Sequence, residues 1–457
     1  MSASAPAPQA GLIVAVTALA SAVAFLDGTI VNVALPAMSD ELGGGLVTQQ
    51  WTVDAYLLTL SSLILFAGSV SDAFGRLLVL RIGLIGFGIA SLGVGLAPEP
   101  VTLIIARAVQ GAAGAFLVPS SLALITSLLQ GTAQSRAIGQ WTAWTTGASL
   151  FGPLLGGIFV DTLSWRFAFL VNILPIAATF VLLTRLRAAD HRAPDARIDV
   201  LSAVLCTIGL GGIVFALIEQ PNLGWTNPMI WLPLVGGVVL FTAFLLRQRT
   251  TRFPILPLEI FRVRNFWTGN LSTFFVYAAL SLNGFVVGVY LQQGAGLSAT
   301  LAGLASLPAT VLLIALSSVV GSLAGRFGAR LFMTAGPLLM AAGALLLLTV
   351  REDFDYWTQV LPSLVVFGLG LALTVSPLTA TILGAIGGTR SGIASATNNA
   401  VARIAGLVVI AVLAAIVGGS LDLEGFHRAA IVTAALLAVG GVIAFLGIRT
   451  ERSAETS

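Results

Sequence analysis

"GSVSDAFGRLL", residues 68–78, returns as "GSLAGRFGARL", residues 321–331, at an offset of 253 (321 − 68). Gly, Ser, Phe, Gly and a final Leu coincide in the two copies. Glycine-rich turns in apolar, low-complexity sequence also resemble one another by chance. Each copy, however, follows the second apolar span of its half, which favours an internal repeat.

Working outward from these turns, the 457 residues are 57% hydrophobic and only 9% charged. The mean hydropathy is +1.00, far outside the balance of a soluble domain. Crossing about 30 Å of hydrocarbon takes roughly 20 apolar residues, and in lipid such a stretch must be helical to satisfy its own backbone. Spans are expected near 10–35, 49–70, 78–97, 101–129, 134–162, 165–186, 199–219 and 226–247. Six more follow a basic, proline-bearing break, near 265–292, 298–324, 329–350, 357–384, 392–418 and 427–447. The repeat then matches spans 1–6 with spans 9–14 and leaves spans 7 and 8 as an insert. The expected fold is an all-α polytopic membrane protein of two six-helix lobes: 1–190 the first lobe, 191–250 a linker with two helices, 251–457 the second. Parallel repeats of this kind are a transporter architecture with a site between the lobes near the midplane.

Every basic residue other than histidine is arginine. Arg76, Arg81, Arg136, Arg185, Arg247, Arg252, Arg264, Arg326, Arg330 and Arg449 stand between alternate spans, against Arg166, Arg351 and Arg428 in the opposite loops. The bias of basic residues toward the inside puts the first set, and both termini, in the cytoplasm. A pI of 9.6 does not imply a nucleic-acid partner, because the arginines are scattered over many loops. The apolar N-terminus lacks the basic start of a signal peptide. Cys206 is the sole cysteine, so no intrachain disulfide forms. His191 and His427 fall on opposite sides of the membrane. They cannot share a metal, and no Ser, His and acid grouping of hydrolase type can be assembled in the spans. Intramembrane enzyme chemistry is not expected.

Several stretches together resemble the major facilitator superfamily, and within it the fourteen-helix drug/proton antiporters of the EmrB/QacA type. They are "LDGTIVNVALP" at 26–36, "QQWTVDAYLLTLSSLILFAGSVSDAFGR" at 49–76, "RAVQGAAGA" at 107–115, "GASLFGPLLGG" at 147–157, "WRFAFLVNILP" at 165–175 and "YLQQGAGLSATLAGLASLP" at 290–308. The resemblance implies a monomeric major facilitator fold in a bacterial plasma membrane. It implies export of a small amphiphilic substrate by alternating access, with the proton as coupling ion and no other cofactor. In that family the fifth-helix motif marks antiporters: here it is Gly147, Gly152, Pro153, Gly156 and Gly157, which remove side-chain bulk and one backbone donor. The turn carrying Gly68, Asp72, Gly75 and Arg76 is implied to be a gate, in which Asp72 pairs with an arginine and a helix N-terminus. Its second copy has Gly325 where Asp72 would fall. A metabolite importer of the same superfamily, or a membrane sensor, are the competing functions.

Three charges stand inside the first lobe. From the expected span ends, Asp27 is about 12 Å below the outer end of span 1, Asp54 about 8 Å into span 2 and Arg107 about 9 Å into span 4. Unpaired and lipid-facing placement is costly, so all three should face inward. Both acids ionised would leave the cluster at one net negative charge, and one bound proton would make it neutral. This makes Asp27 the candidate proton site, with Asp54 as a second; a permanent Asp27–Arg107 salt bridge is the alternative. In the second lobe, Asn270, Thr273, Tyr277 and Ser281 form one polar stripe, facing either a substrate cavity or a neighbouring helix. Asn399 and Arg403 share a face of span 13. No acid lies in the core of any second-lobe span, so Arg403 either reaches other acids or substrate, or bonds backbone carbonyls. Without acids there, a dication is a poor substrate, and monovalent cationic, zwitterionic or neutral amphiphiles fit better.

Overall fold

A computed structural model describes residues 7–186, 190, 198–386 and 391–449. Fourteen helices are long and apolar enough to cross a membrane, and among the described residues there is no strand. The first eight are α1 Gln9–Leu42, α2 Gly45–Phe74, α3 Arg76–Gly95, α4 Pro100–Leu128, α5 Gly131–Thr162, α6 Phe167–Arg185, α7 Val200–Leu223 and α8 Pro228–Thr250. The remaining six are α9 Arg264–Gln293, α10 Ala299–Phe327, α11 Ala329–Thr349, α12 Tyr356–Ile386, α13 Gly392–Ala411 and α14 Leu423–Gly447. On α3, Ile82, Ile85 and Ile89 are 50–64% exposed and recur at helical spacing. Such a stripe is stable in lipid and not in water.

The expected spans recur with one informative difference. The span expected near 10–35 is longer in the structure: α1 runs through Pro36 to Leu42. An internal proline is tolerated in a membrane helix; in the turn that follows it, Ser39 Oγ donates to the Pro36 carbonyl at 2.9 Å. Asp27 therefore lies about 22 Å from the end of α1 that the arginine bias turns outward, deeper than the first span suggested.

The chain divides into two compact units, one of Met1–Ile255 with Leu297–Leu304, the other of Leu256–Gly296 with Ala305–Ser457. In the first, α1 packs on α5, α4 and α6, while α2 and α3 pack on α4. In the second, α9 packs on α13, α12 and α14, while α10 and α11 pack on α12. Each pairing of the first unit thus has its counterpart eight helices on, as the repeated turn implied. The inserted helices α7 and α8 pair with each other, and α7 also leans on α2. Two polar ties hold it there: Trp51 Nε1 donates to Glu219 Oε1 at 2.8 Å, and Thr207 Oγ1 to Ser62 Oγ at 2.9 Å. At the other end, Asp199 caps the first turn of α7 through Ser202 N at 3.1 Å and receives Arg247 of α8.

Trp165, near a helix end, is buried and donates to Glu41 Oε2 at 2.7 Å, beside the Arg166–Glu41 ion pair at 2.6 Å.

Candidate functional site

Asp27, Asp54 and Arg107 are the charged side chains among the described residues that are buried, at 0%, 0% and 1% exposure. Arg107, in the first turns of α4, donates from Nη1 to Asp27 Oδ2 at 2.6 Å and from Nε to the Thr52 carbonyl of α2 at 2.9 Å. Its guanidinium lies over the Tyr56 ring, 4.3 Å from the centroid. One helical turn on, Gln110 accepts from Arg107 at 2.6 Å and donates to Asp27 Oδ1 at 2.9 Å and to Ser91 Oγ of α3 at 2.8 Å. Asn172 gives Asp27 Oδ1 a further hydrogen bond at 3.0 Å from the break between the Phe167–Leu170 and Ile173–Arg185 segments of α6. The break lets a side-chain amide enter the centre of the bundle.

Asp27 is thus supplied on both oxygens, by one cation and two amides from two helices. Charge-assisted bonds of this kind stabilise the ionised carboxylate. Asp54 is its opposite: equally buried, two residues beyond Thr52 on α2, with neither oxygen hydrogen-bonded. Sequence reasoning found the three charges and missed Gln110, Ser91 and Asn172. Gln110 was legible, since it stands at i+3 from Arg107 in "RAVQG". Ser91 and Asn172 are brought in only by the tertiary packing of α3 and α6.

The fifth-helix motif makes two close contacts. A Cβ at Gly152 would fall 2.1 Å from Thr29 Oγ1, and one at Gly156 would fall 2.9 Å from the Ile30 carbonyl, so α5 meets α1 backbone to backbone. On another face, a Cβ at Gly157 would lie 2.5 Å from the Ala299 carbonyl, and Gly303 meets the Pro153 carbonyl in the same way. Asp161 completes that second contact by accepting from Ala299 N and Thr300 N at 3.0 and 2.8 Å. Gly147 closes no contact.

In the turn after α2, Gly75 takes φ 106°, and a Cβ there would collide with the Asp190 carboxylate. That carboxylate accepts from Leu77 N and Leu78 N at 3.1 and 3.0 Å, and so holds the N-terminus of α3. Of the two expected partners of Asp72, the arginine is Arg76 of its own motif at 3.1 Å, which also donates to the Ala123 carbonyl of α4 at 3.0 Å, while the N-terminus of α3 is taken by Asp190. Gly68 has open space beside it. In the connector between α6 and α7, the two described acids, Asp190 and Asp199, sit on helix N-termini; most of its other residues lie outside those described.

In the second unit the polar stripe of α9 divides. Asn398 of α13 donates to Thr273 Oγ1 at 2.9 Å and Asn270 Oδ1 at 3.3 Å, and both of those residues are buried, so this half of the stripe joins two helices. Tyr277, Ser281 and Arg403 are half-buried. Asn399 turns back onto the Ser395 carbonyl at 3.1 Å.

Two membrane units with matching helix pairings and a buried charge network in the first meet their family in the sequence comparison. The Major Facilitator Superfamily model matches residues 17–410 and, again, 269–457. The chain belongs to the major facilitator superfamily. Its relatives include the methylenomycin A resistance proteins of Bacillus subtilis (strain 168), 33% identical over 88% of this chain and 86% of theirs, and of Streptomyces coelicolor, 34% identical over 93% and 89%. The puromycin resistance protein pur8 of Streptomyces alboniger is 35% identical over 85% and 78%. Among solved structures, a peptide transporter with bound sulfate aligns at a TM-score of 0.71 and 14% identity, covering 95% of this chain and 94% of that one. A D-xylose-proton symporter aligns at 0.69 and 14%, covering 97% and 98%. At those identities the likeness is one of major facilitator fold alone.

Proposed function

We propose that this protein is a proton-driven exporter of small amphiphilic, antibiotic-like molecules in a bacterial plasma membrane, with both termini cytoplasmic and Asp54 as the group that takes and releases the proton. The resistance functions named for its relatives support the substrate class, and the resemblance of the fifth-helix motif to that of antiporters supports the direction.

One observation carries the proton reading: of two fully buried carboxylates, Asp27 is paired with the buried Arg107, while neither oxygen of Asp54 has a hydrogen-bond partner among the described residues. Asp27 and Arg107 form a neutral, hydrogen-bonded pair. Ionised, Asp54 would leave a net negative charge in the bundle with no bond to offset its desolvation, and a proton removes that charge. Releasing the proton leaves an anion on α2 that its buried position does not stabilise, so the ionised form favours a position of α2 that exposes Asp54 to water. The two protonation states therefore favour different positions of α2, which is what coupling requires. No cofactor beyond the proton enters this scheme. The substrate is a monovalent cation, a zwitterion or a neutral molecule, and the working unit is a monomer.

The test is efflux of a fluorescent lipophilic cation from liposomes under an imposed pH gradient. Wild type responds to the gradient; Asp54→Asn binds the dye and exchanges it down its own gradient but no longer responds to pH. Equal gradient-driven transport by both removes Asp54 from the role. Failure of wild type with cationic, zwitterionic and neutral dyes alike sinks the exporter reading.

A further inference from the structure

The two copies of the repeated turn differ in what holds them. In the first unit the acidic Asp190 lies on the N-terminus of α3, and Asp72 stands in the turn. In the second, Gly328 is the counterpart of Gly75 at the same offset of 253 (328 − 75), with φ 88° and ψ 139° against 106° and 136°. Among the described residues, no Asp or Glu is hydrogen-bonded to the first amides of α11 as Asp190 is to those of α3. Gly325 replaces the turn's acid (325 − 72 = 253).

In place of a carboxylate there is a cavity of about 410 Å³, framed by the α10–α11 turn, the last turns of α12 and the end of α14. Arg326, Arg330 and Arg449 line it together with Asn265, and among the described residues no Asp or Glu does. None of the three arginines has an ion pair among the described residues. Arg449 is held by a reciprocal pair of backbone bonds with Asn265, at 2.9 and 3.0 Å. Arg330 lies over the Phe445 ring, 4.7 Å from its centroid. The surroundings are apolar and open: Phe327, Leu331, Phe445 and Leu446 are each more than half exposed.

We propose that this cavity binds the phosphate headgroup of an anionic phospholipid, with the acyl chains running along the exposed apolar faces of α11 and α14. A soluble phosphate would satisfy the arginines but leave the apolar rim without a partner. A phospholipid satisfies both, and the arginine bias assigns this end of the helices to the cytoplasmic leaflet, where anionic lipids attract basic side chains. Arginine suits the role because its planar fork grips two phosphate oxygens at once. The lipid supplies the second unit with the anion that Asp190 gives the first.

The experiment measures lipid retained by the purified full-length chain in native mass spectrometry, after detergent exchange and titration with phosphatidylglycerol, phosphatidylcholine or inorganic phosphate. Wild type retains phosphatidylglycerol in preference to phosphatidylcholine. The Arg326→Gln/Arg330→Gln double variant weakens that retention by about tenfold or more, Arg449→Gln weakens it less, and the control Arg136→Gln leaves it unchanged. Melting temperatures of all variants close to wild type attribute the loss to the site rather than to unfolding. Equal retention of the two lipids, or full retention by the double variant, overturns the proposal. Inorganic phosphate that competes as well as phosphatidylglycerol itself makes this a soluble-anion site and overturns the lipid assignment.

Discussion

At the scale of single residues, Asp27 and Asp54 show that burial alone does not define a charge's role. Both are fully buried acids, yet one has every oxygen served and the other none. Their neutral analogues should therefore behave differently. Asp27→Asn leaves Arg107 as an uncompensated buried cation, and Arg107→Ala leaves Asp27 as an uncompensated anion. Each should cost about 3–5 kcal/mol of stability, read as a large drop in melting temperature in detergent. Asp54→Asn replaces an acid that has no bond to lose and should stay within about 1 kcal/mol of wild type. Comparable losses from all three would show that Asp54 is held ionised. The sequence made these residues visible because an acid in an apolar run is conspicuous. It could not rank them, because Asn172 and Ser91, which help to serve Asp27, come from helices whose approach no local pattern specifies.

At the scale of helices, glycine spacing and N-terminal acids do most of the positioning. Gly152 and Gly156 bring α5 onto the α1 backbone, and this much was legible, since small residues at such spacing announce a close helix contact. The insert was less so. Its anchor Asp199 joins α7 to α8 through Arg247 and Ser202. Burial pushes this carboxyl up, but the hydrogen bonds from Arg247 and Ser202 outweigh it and hold it below the usual carboxylate range. A carboxyl depressed by folding contributes stability above its unfolded value, near pH 4, and loses it as pH falls through the lower folded value. Asp199→Asn should thus be destabilised by about 1 kcal/mol or less at neutral pH, Arg247 being partly exposed. The gap should close below about pH 4. A gap that persists in acid would assign the effect to the cap rather than to the charge.

Over the whole molecule, fourteen spans and a two-fold repeat were readable because lipid leaves a chain few choices: the apolar length fixes the helix, and the glycine turn marks the duplication. The side of the membrane rests on arginine counts. Cys206 is buried in α7, so the wild-type chain should be nearly silent to a membrane-impermeant maleimide. Against that background, a cysteine at Glu99, exposed between α3 and α4, should react on intact cells. One at Thr250, exposed at the end of α8, should react only after permeabilisation. The reverse pattern would invert the topology.

The Asp27 network also bears on how such a protein can change over generations. Three helices lend it one side chain each, α4 lends two, and every member satisfies a neighbour that would otherwise be left wanting. Single replacements then meet a steep penalty that a matched second replacement relieves, so lineages cross from one solution to another only in paired steps. The five positions should be inherited as a block. Asp54, with no bond to defend, stands outside that block, and whatever holds it in place must be what it does.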